Sequence, residues 1–278
     1  MKPTRTYKEW KGRETPYQRV RSWTRDLAIR SLAFGRDMSP STDCIRFPYY
    51  HHVFDDERKG FERQIRLLQG TGDFLNIDEA VALLNSGDKI NGRYFCLSFD
   101  DGLKSCIENA VPILADLKVP STFYVVTSLM GASFDPDHYI SRKTFGFKGH
   151  GSTVDFLTWE DCKKMIDAGM TIGSHTVRHS RLSDISMQEA EVELRESKSQ
   201  IERNLSITCD HFCAPYGSPD VDYNSAQHPK LAKKLGYRSF ATGFRGHMTR
   251  GGSPFSLKRD HLLANWGLYQ VRYFFSAE

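Results

Sequence analysis

Short runs rich in apolar, aromatic and β-branched side chains recur along the chain, separated by longer stretches with helical periodicity. Arg46 to Tyr50, Tyr94 to Phe99, Ser121 to Val126, Met170 to Ser174, His211 to Ala214 and Arg238 to Thr242 predict strands. Between them, Ile107 to Leu117 places apolar residues at Ile107, Ala110, Val111, Ile113, Leu114 and Leu117. Pro112 inside that run predicts that the helix proper starts near it, where a missing N–H costs little. Trp159 to Ala168 predicts a second helix and Ser186 to Asn204 a third, opened by Ser186-Met187-Gln188-Glu189 with capping-box character. Strands alternating with helices predict an α/β architecture. The polar, glycine-rich stretch from Gly131 to Asp155 is long for a connection, and reads either as a loop covering substrate or as a disordered insertion.

The 278 residues suit one large α/β domain with an ample core, read here as residues 43–278, preceded by a basic arm over residues 1–42. In the arm, Val20, Trp23, Leu27 and Leu32 have roughly helical spacing among many arginines and lysines. That pattern fits a segment meeting anionic substrate groups, nucleotide phosphates or lipid headgroups, or, more plainly, a helix packed on the barrel or against another copy. A net charge of +4 is too mild to imply nucleic-acid binding. No stretch is apolar enough to span a bilayer, which leaves peripheral membrane contact open. Six cysteines without CxxC spacing read as reduced thiols, and the N-terminus lacks the apolar core of a secretory signal; a cytoplasmic chain is expected. The oligomeric state is not legible.

The chemistry concentrates at two places. Asp100 and Asp101 close the run Tyr94 to Phe99 and precede Gly102, which puts paired carboxylates at a strand end, where ligands bind in sheets and barrels. Adjacent carboxylates repel unless a cation or hydrogen-bond donors neutralise them. Downstream, His175 and His179 follow the strand ending at Ser174; at i and i+4 they are expected on one face of a helical turn, able to reach one metal. One carboxylate and two imidazoles make a three-ligand site with open positions, suited to zinc or another divalent ion carrying a reactive water.

These motifs, in this order, resemble those of the polysaccharide deacetylases of the NodB-homology type, carbohydrate esterase family 4. The resemblance runs from about Ile45 to about Leu263. Phe99-Asp100-Asp101-Gly102 is similar to the family's first motif, His175 to His179 to its second, and Phe212-Cys213-Ala214-Pro215-Tyr216-Gly217 to its third. Tyr49-Tyr50-His51-His52-Val53 resembles the Tyr-His strand end of one branch, and Leu157-Thr158-Trp159-Glu160 also fits. Gly60 to Gln64 and Asn76 to Ala80 fit that branch's first helix and the short linker after it.

The resemblance implies a distorted, incomplete (β/α) barrel. It implies one divalent metal ion, zinc foremost, on Asp101, His175 and His179, with Asp100 as general base. The backbone N–H of Tyr216 would meet the oxyanion. In this branch the general acid is His51; His261 lies near the place of the histidine most of the family uses, but in another context. His52 is expected to point away if the strand continues, since strand side chains alternate. Cys213 stands where much of the family has the arginine that orients the base, and Arg259 matches an arginine this branch places on a late strand, in reach of Asp100. The activity implied is hydrolysis of an N-acetyl or N-formyl group from an amino sugar. With a cytoplasmic chain and a basic arm, a nucleotide- or lipid-linked, phosphate-bearing sugar of lipopolysaccharide or capsule assembly is the narrower expectation. A catalytically silent carbohydrate binder and a hydrolase of a non-sugar amide are the alternatives.

Overall fold

The computed structural model describes residues 1–13, 15–36, 38 and 43–276, so the boundary expected at residue 42 lies outside the described residues. The chain opens with β1 (Lys2–Pro3), α1 (Tyr7–Lys11) and α2 (Pro16–Ala33). The main alternation follows with β2 (Cys44–Arg46), β3 (Pro48–Tyr50), α3 (Arg58–Gln69), β4 (Asp73–Phe74), α4 (Ile77–Ser86), β5 (Arg93–Phe95), β6 (Leu97–Phe99), α5 (Val111–Asp116) and β7 (Ser121–Val125). Next come β8 (Ser133–Phe134), β9 (Ser152–Asp155), α6 (Trp159–Asp167), β10 (Thr171–Ser174), α7 (Met187–Leu205) and β11 (His211–Cys213). The last elements are α8 (His228–Lys234), β12 (Ser239–Ala241), β13 (His247–Met248), β14 (Asp260–His261) and α9 (Leu268–Ser276).

Seven strands in the order β12–β11–β10–β7–β6–β3–β14 form a wholly parallel sheet that curls into an incomplete barrel. Because every strand runs the same way, all their C-terminal ends open at one mouth, the end where loops build sites on such scaffolds. The runs read as single strands at 46–50 and 94–99 are each broken, at Phe47 and at Cys96. Their first halves, β2 and β5, belong to a second sheet of order β13–β2–β5–β4, and their second halves feed the barrel. The bond from Cys96 N–H to the Arg46 carbonyl (2.9 Å) carries the pairing across the break. Stacked aromatic rings fill the barrel centre: Phe99 lies 4.6 Å from Phe123 and 5.6 Å from Tyr50, centroid to centroid.

Local chemistry starts several helices. Thr6, Thr15, Asn76, Thr158 and Ser186 cap α1, α2, α4, α6 and α7 with reciprocal side-chain bonds to the third helical residue. Across 60–80 the first helix is α3, and Asn76 caps the next helix, α4. A π-helical turn, Cys106–Ala110, leads into α5, and Pro112 sits in the first turn of that helix as expected. The stretch 131–155 is not structureless: β8 and β9 pair antiparallel, and β1 joins β9 in parallel. The first residues of the chain are thus laced into this insertion. Thr4 N–H bonds the Thr153 carbonyl, Lys148 N–H the Trp10 carbonyl, and Asp55 N–H the Arg5 carbonyl.

Candidate active site

Asp100, Asp101, His51, His175, His179 and His261 line one cavity of about 270 Å³ at the mouth of the barrel. Five arrive at the C-terminal end of a parallel strand or within one, His51 from β3, both aspartates from β6, His175 from β10 and His261 within β14, and His179 follows in the loop after β10. Asp101 adopts φ 72° and Gly102 φ 77°, a left-handed pair that turns the chain sharply where β6 ends. The turn separates the two carboxylates. Asp101 Oδ1 lies 3.5 Å from His175 Nε2 and 3.2 Å from His179 Nε2, while Asp100 faces Arg259.

The two imidazoles do not converge on a helical turn. Residues 175–181 form an irregular loop in which Thr176 (φ 67°) and His179 (φ 57°) are left-handed, and the ring centroids end 5.0 Å apart. Spacing at i and i+4 is helical only if the backbone is, and two left-handed residues break the helix while still bringing the rings together. His175 Nδ1 donates to the Cys213 carbonyl at 2.8 Å, which turns Nε2 toward Asp101. One atom each from Asp101, His175 and His179 lie within 4.8 Å of one another, all three residues buried. A carboxylate and two imidazole nitrogens in this arrangement fit a divalent cation. Asp100, His175 and Cys213 also approach within 4.8 Å of one another. That set fits less well: burial pushes the Cys213 thiol up, away from the thiolate a metal requires, and Asp100 is engaged elsewhere.

Asp100 accepts two bonds from Arg259, at 2.8 and 2.7 Å, with both side chains almost wholly buried. Arg259 is itself fixed by donating to the Thr242 carbonyl (2.7 Å), to Ser98 Oγ (3.2 Å) and to Cys213 Sγ (3.0 Å), with its guanidinium 4.0 Å above the Tyr49 ring. Burial raises the Asp100 carboxyl, but the paired guanidinium together with His175 and His51 outweighs it and holds the group below its ordinary value. Cys213 carries no charge to set against Asp100, and Arg259, immediately before β14, supplies the cation instead.

The two histidines weighed against each other as acid turn out to be partners. His51 Nδ1 and His261 Nε2 are 3.0 Å apart, with their rings edge-on. Two facing ring nitrogens can share at most one proton. Burial lowers the basicity of His51, and burial together with His51 brings His261 down to about 3. β14 pairs with β3 in the register His261 to Tyr49, which sets this contact across 210 residues of sequence. β3 ends at Tyr50, so strand alternation does not extend to His52. That residue bonds Glu57 (2.9 Å) beneath Tyr7 and Trp10 and also reaches the cavity wall.

Tyr216 takes φ 62°, and its N–H meets no acceptor among the described residues. Its exposed ring lies 4.9 Å from that of His179, with the Arg181 guanidinium 4.5 Å above it. Thr144 and Phe145 of the insertion, read from the sequence as a possible loop covering substrate, reach the wall, as do Tyr7 and Trp10 from α1, of which the sequence offered no sign. The β1–β9 pairing, together with the Lys148–Trp10 and Asp55–Arg5 backbone bonds, brings Tyr7 and Trp10 to the mouth.

The comparisons agree with this geometry. The family model described as polysaccharide deacetylase matches residues 87–240, more than half of the chain, and spans the aspartate and histidine motifs. YxkH of Bacillus subtilis (strain 168), named as a polysaccharide deacetylase, is 26% identical over 203 residues, covering 73% of this chain and 63% of that relative. The structure of IcaB from Ammonifex degensii is similar in fold at a TM-score of 0.67 and 20% identity, covering 85% of this chain and 98% of that one. The Streptococcus pyogenes deacetylase PplD, solved in complex with acetate, is similar at 0.64 and 21%, covering 85% and 99%. With the barrel, the ordered motifs and the family model in agreement, the chain belongs to the polysaccharide deacetylase family.

Proposed function

We propose that the protein hydrolyses the N-acetyl or N-formyl group of an amino sugar in a metal-dependent reaction. The observation that carries this reading is the division of labour between the paired aspartates: Asp101 with two imidazoles, Asp100 on a buried guanidinium, in one cavity. A divalent cation held by Asp101, His175 and His179, zinc foremost, would supply Lewis acidity and a water of lowered pKa. Asp100, kept ionised by Arg259, takes the proton of the attacking water. The Tyr216 N–H donates to the carbonyl oxygen as negative charge develops there. The His51–His261 pair returns a proton to the departing amine, which as an anion is too poor a leaving group. Tyr7, Trp10, Phe145 and Tyr216 offer aromatic faces to a sugar ring.

The narrower substrate is an amino sugar carrying phosphate, linked to a nucleotide or a lipid as in surface-polysaccharide assembly. Its support is a cavity of about 750 Å³ in which Lys8, Lys11, Arg13 and Arg19 outnumber the two acids Glu9 and Asp56, and which shares Tyr7 with the catalytic cavity. The test is deacylation of N-acetyl amino sugars, free and nucleotide-linked, by the zinc-loaded chain and by Asp100→Asn. A loss of kcat by about 10²–10⁴ in the variant is expected. Undiminished turnover in Asp100→Asn would remove the base assignment, and no turnover by the parent would remove the reading.

A further inference from the structure

Twelve large apolar side chains are exposed among the described residues, and six of them, Tyr17, Val20, Trp23, Leu27, Leu32 and Phe34, fall within residues 17–34. From the sequence this face could meet anionic groups or lipid headgroups, or pack on the barrel or another copy; in the structure the opposite stripe of α2 does the packing. Ser22, Asp26, Ile29 and Ala33 are the more buried positions of the helix, α2 runs against α9, and the Arg30 guanidinium lies 4.6 Å over the Tyr269 ring. At about 100° per residue, Tyr17, Val20, Trp23 and Leu27 occupy one arc of roughly 120° turned away from α9. Arg19 and Arg30 border that arc on one side, Arg21 and Arg25 on the other. An uncovered apolar patch of this kind marks an interaction surface.

We infer that α2 is an interfacial helix that docks the protein on an anionic phospholipid surface. Its apolar arc enters the headgroup boundary, and the bordering arginines lie at headgroup level. Charge selects this occupant. Residues 1–36 carry ten Lys and Arg against three acids, a formal +7 in a chain of +4, so the remainder is −3. An anionic bilayer satisfies Arg19, Arg21 and Arg25 and the apolar arc at once. Trp and Tyr on the arc are the residues favoured at such a boundary. A second copy would bring the same arginines against these and repel. The surface also leads to the mouth of the barrel. Arg21 and Arg25 line a basic cavity of about 530 Å³ with Lys11, Arg13 and Lys148, and Lys11 and Arg13 are shared with the cavity that adjoins the catalytic one at Tyr7. The inference does not depend on the deacylation reading, because none of the assigned catalytic groups takes part in it.

The test is flotation of the full chain with phosphatidylcholine vesicles, with and without phosphatidylglycerol. The parent should float only with the anionic vesicles and be released by high salt. Trp23→Ser with Leu27→Ser should abolish flotation, whereas Trp23→Phe with Leu27→Met should retain it. Arg21→Gln with Arg25→Gln should weaken partitioning about 25-fold, roughly fivefold per arginine. Circular dichroism would show that each variant is folded. Failure of the folded parent to bind anionic vesicles, or equal binding by the serine double variant, overturns the inference. So does a parent dimer in the ultracentrifuge that the serine variant dissociates, since a second copy would then cover the arc.

Discussion

Replacing Arg259 with leucine tests the pairing on which the division of the aspartates rests. The Arg259 and Asp100 side chains are 3% and 4% exposed, and two bonds of 2.8 and 2.7 Å join them. Deleting one partner of a buried pair costs about 3–5 kcal/mol, because the other charge is left uncompensated. Arg259→Leu also forfeits the bond to the Thr242 carbonyl, about 1 kcal/mol more. A double-mutant cycle with Asp100→Asn separates these losses. In the Asp100→Asn background Arg259→Leu should cost at least about 2 kcal/mol less than it does in the parent.

The assay is urea unfolding of the metal-free chain followed by circular dichroism across pH. Arg259 depresses the folded Asp100 carboxyl below the ordinary value of about 3.9. The stabilisation it provides is therefore fully present above that value and is lost as pH falls through the lower, folded one. The gap between parent and Arg259→Leu should be constant where Asp100 is ionised in both, and close as pH falls from the variant's raised carboxyl value down through the parent's depressed one. In the variant, burial acts without the guanidinium to oppose it and the carboxyl rises, so the acid limb of turnover should move to higher pH. A coupling under about 0.5 kcal/mol, or a gap unchanged into acid, would refute the reasoning.

His51→Gln and His261→Gln should each lower kcat, the larger loss reaching about 10²–10⁴-fold, and the double variant should be little worse than that single one because the rings act as a hydrogen-bonded unit; multiplicative losses in steady-state kinetics would contradict a shared role. Asp101→Asn and His179→Ala should raise the zinc dissociation constant more than about 100-fold, beyond the cost of losing an outer-shell partner, as read by competition with a chelating dye. Phe99→Ala should destabilise the chain by about 3–5 kcal/mol in urea, since the ring is buried between Tyr50, Phe61 and Phe123; a cost under about 1 kcal/mol would mean that the barrel centre collapses around the vacancy.

The sequence alone determined the alternation that makes an α/β barrel, the strand ends that carry chemistry, and the residue types gathered there. Each of those signals is local. A strand ending in two acids, a pair of histidines after another strand, and Ser186 three residues before Glu189 are all written within a few positions. What the tertiary structure decided lies between distant segments. The three candidate metal-holding side chains converge through left-handed turns that spacing could not disclose, because the chain breaks a helix there rather than forming one. Arg259 meets Asp100 and His261 meets His51 because β14 lies beside β3, a pairing of strands more than 200 residues apart. Tyr7 and Trp10 reach the mouth through the β1–β9 ladder and the backbone bonds to Asp55 and Lys148, all between distant segments. The arm shows the limit most plainly. Its apolar periodicity was legible, but periodicity has no direction, and only the docking of Ser22, Asp26, Ile29 and Ala33 toward α9 leaves Trp23 and Leu27 facing outward.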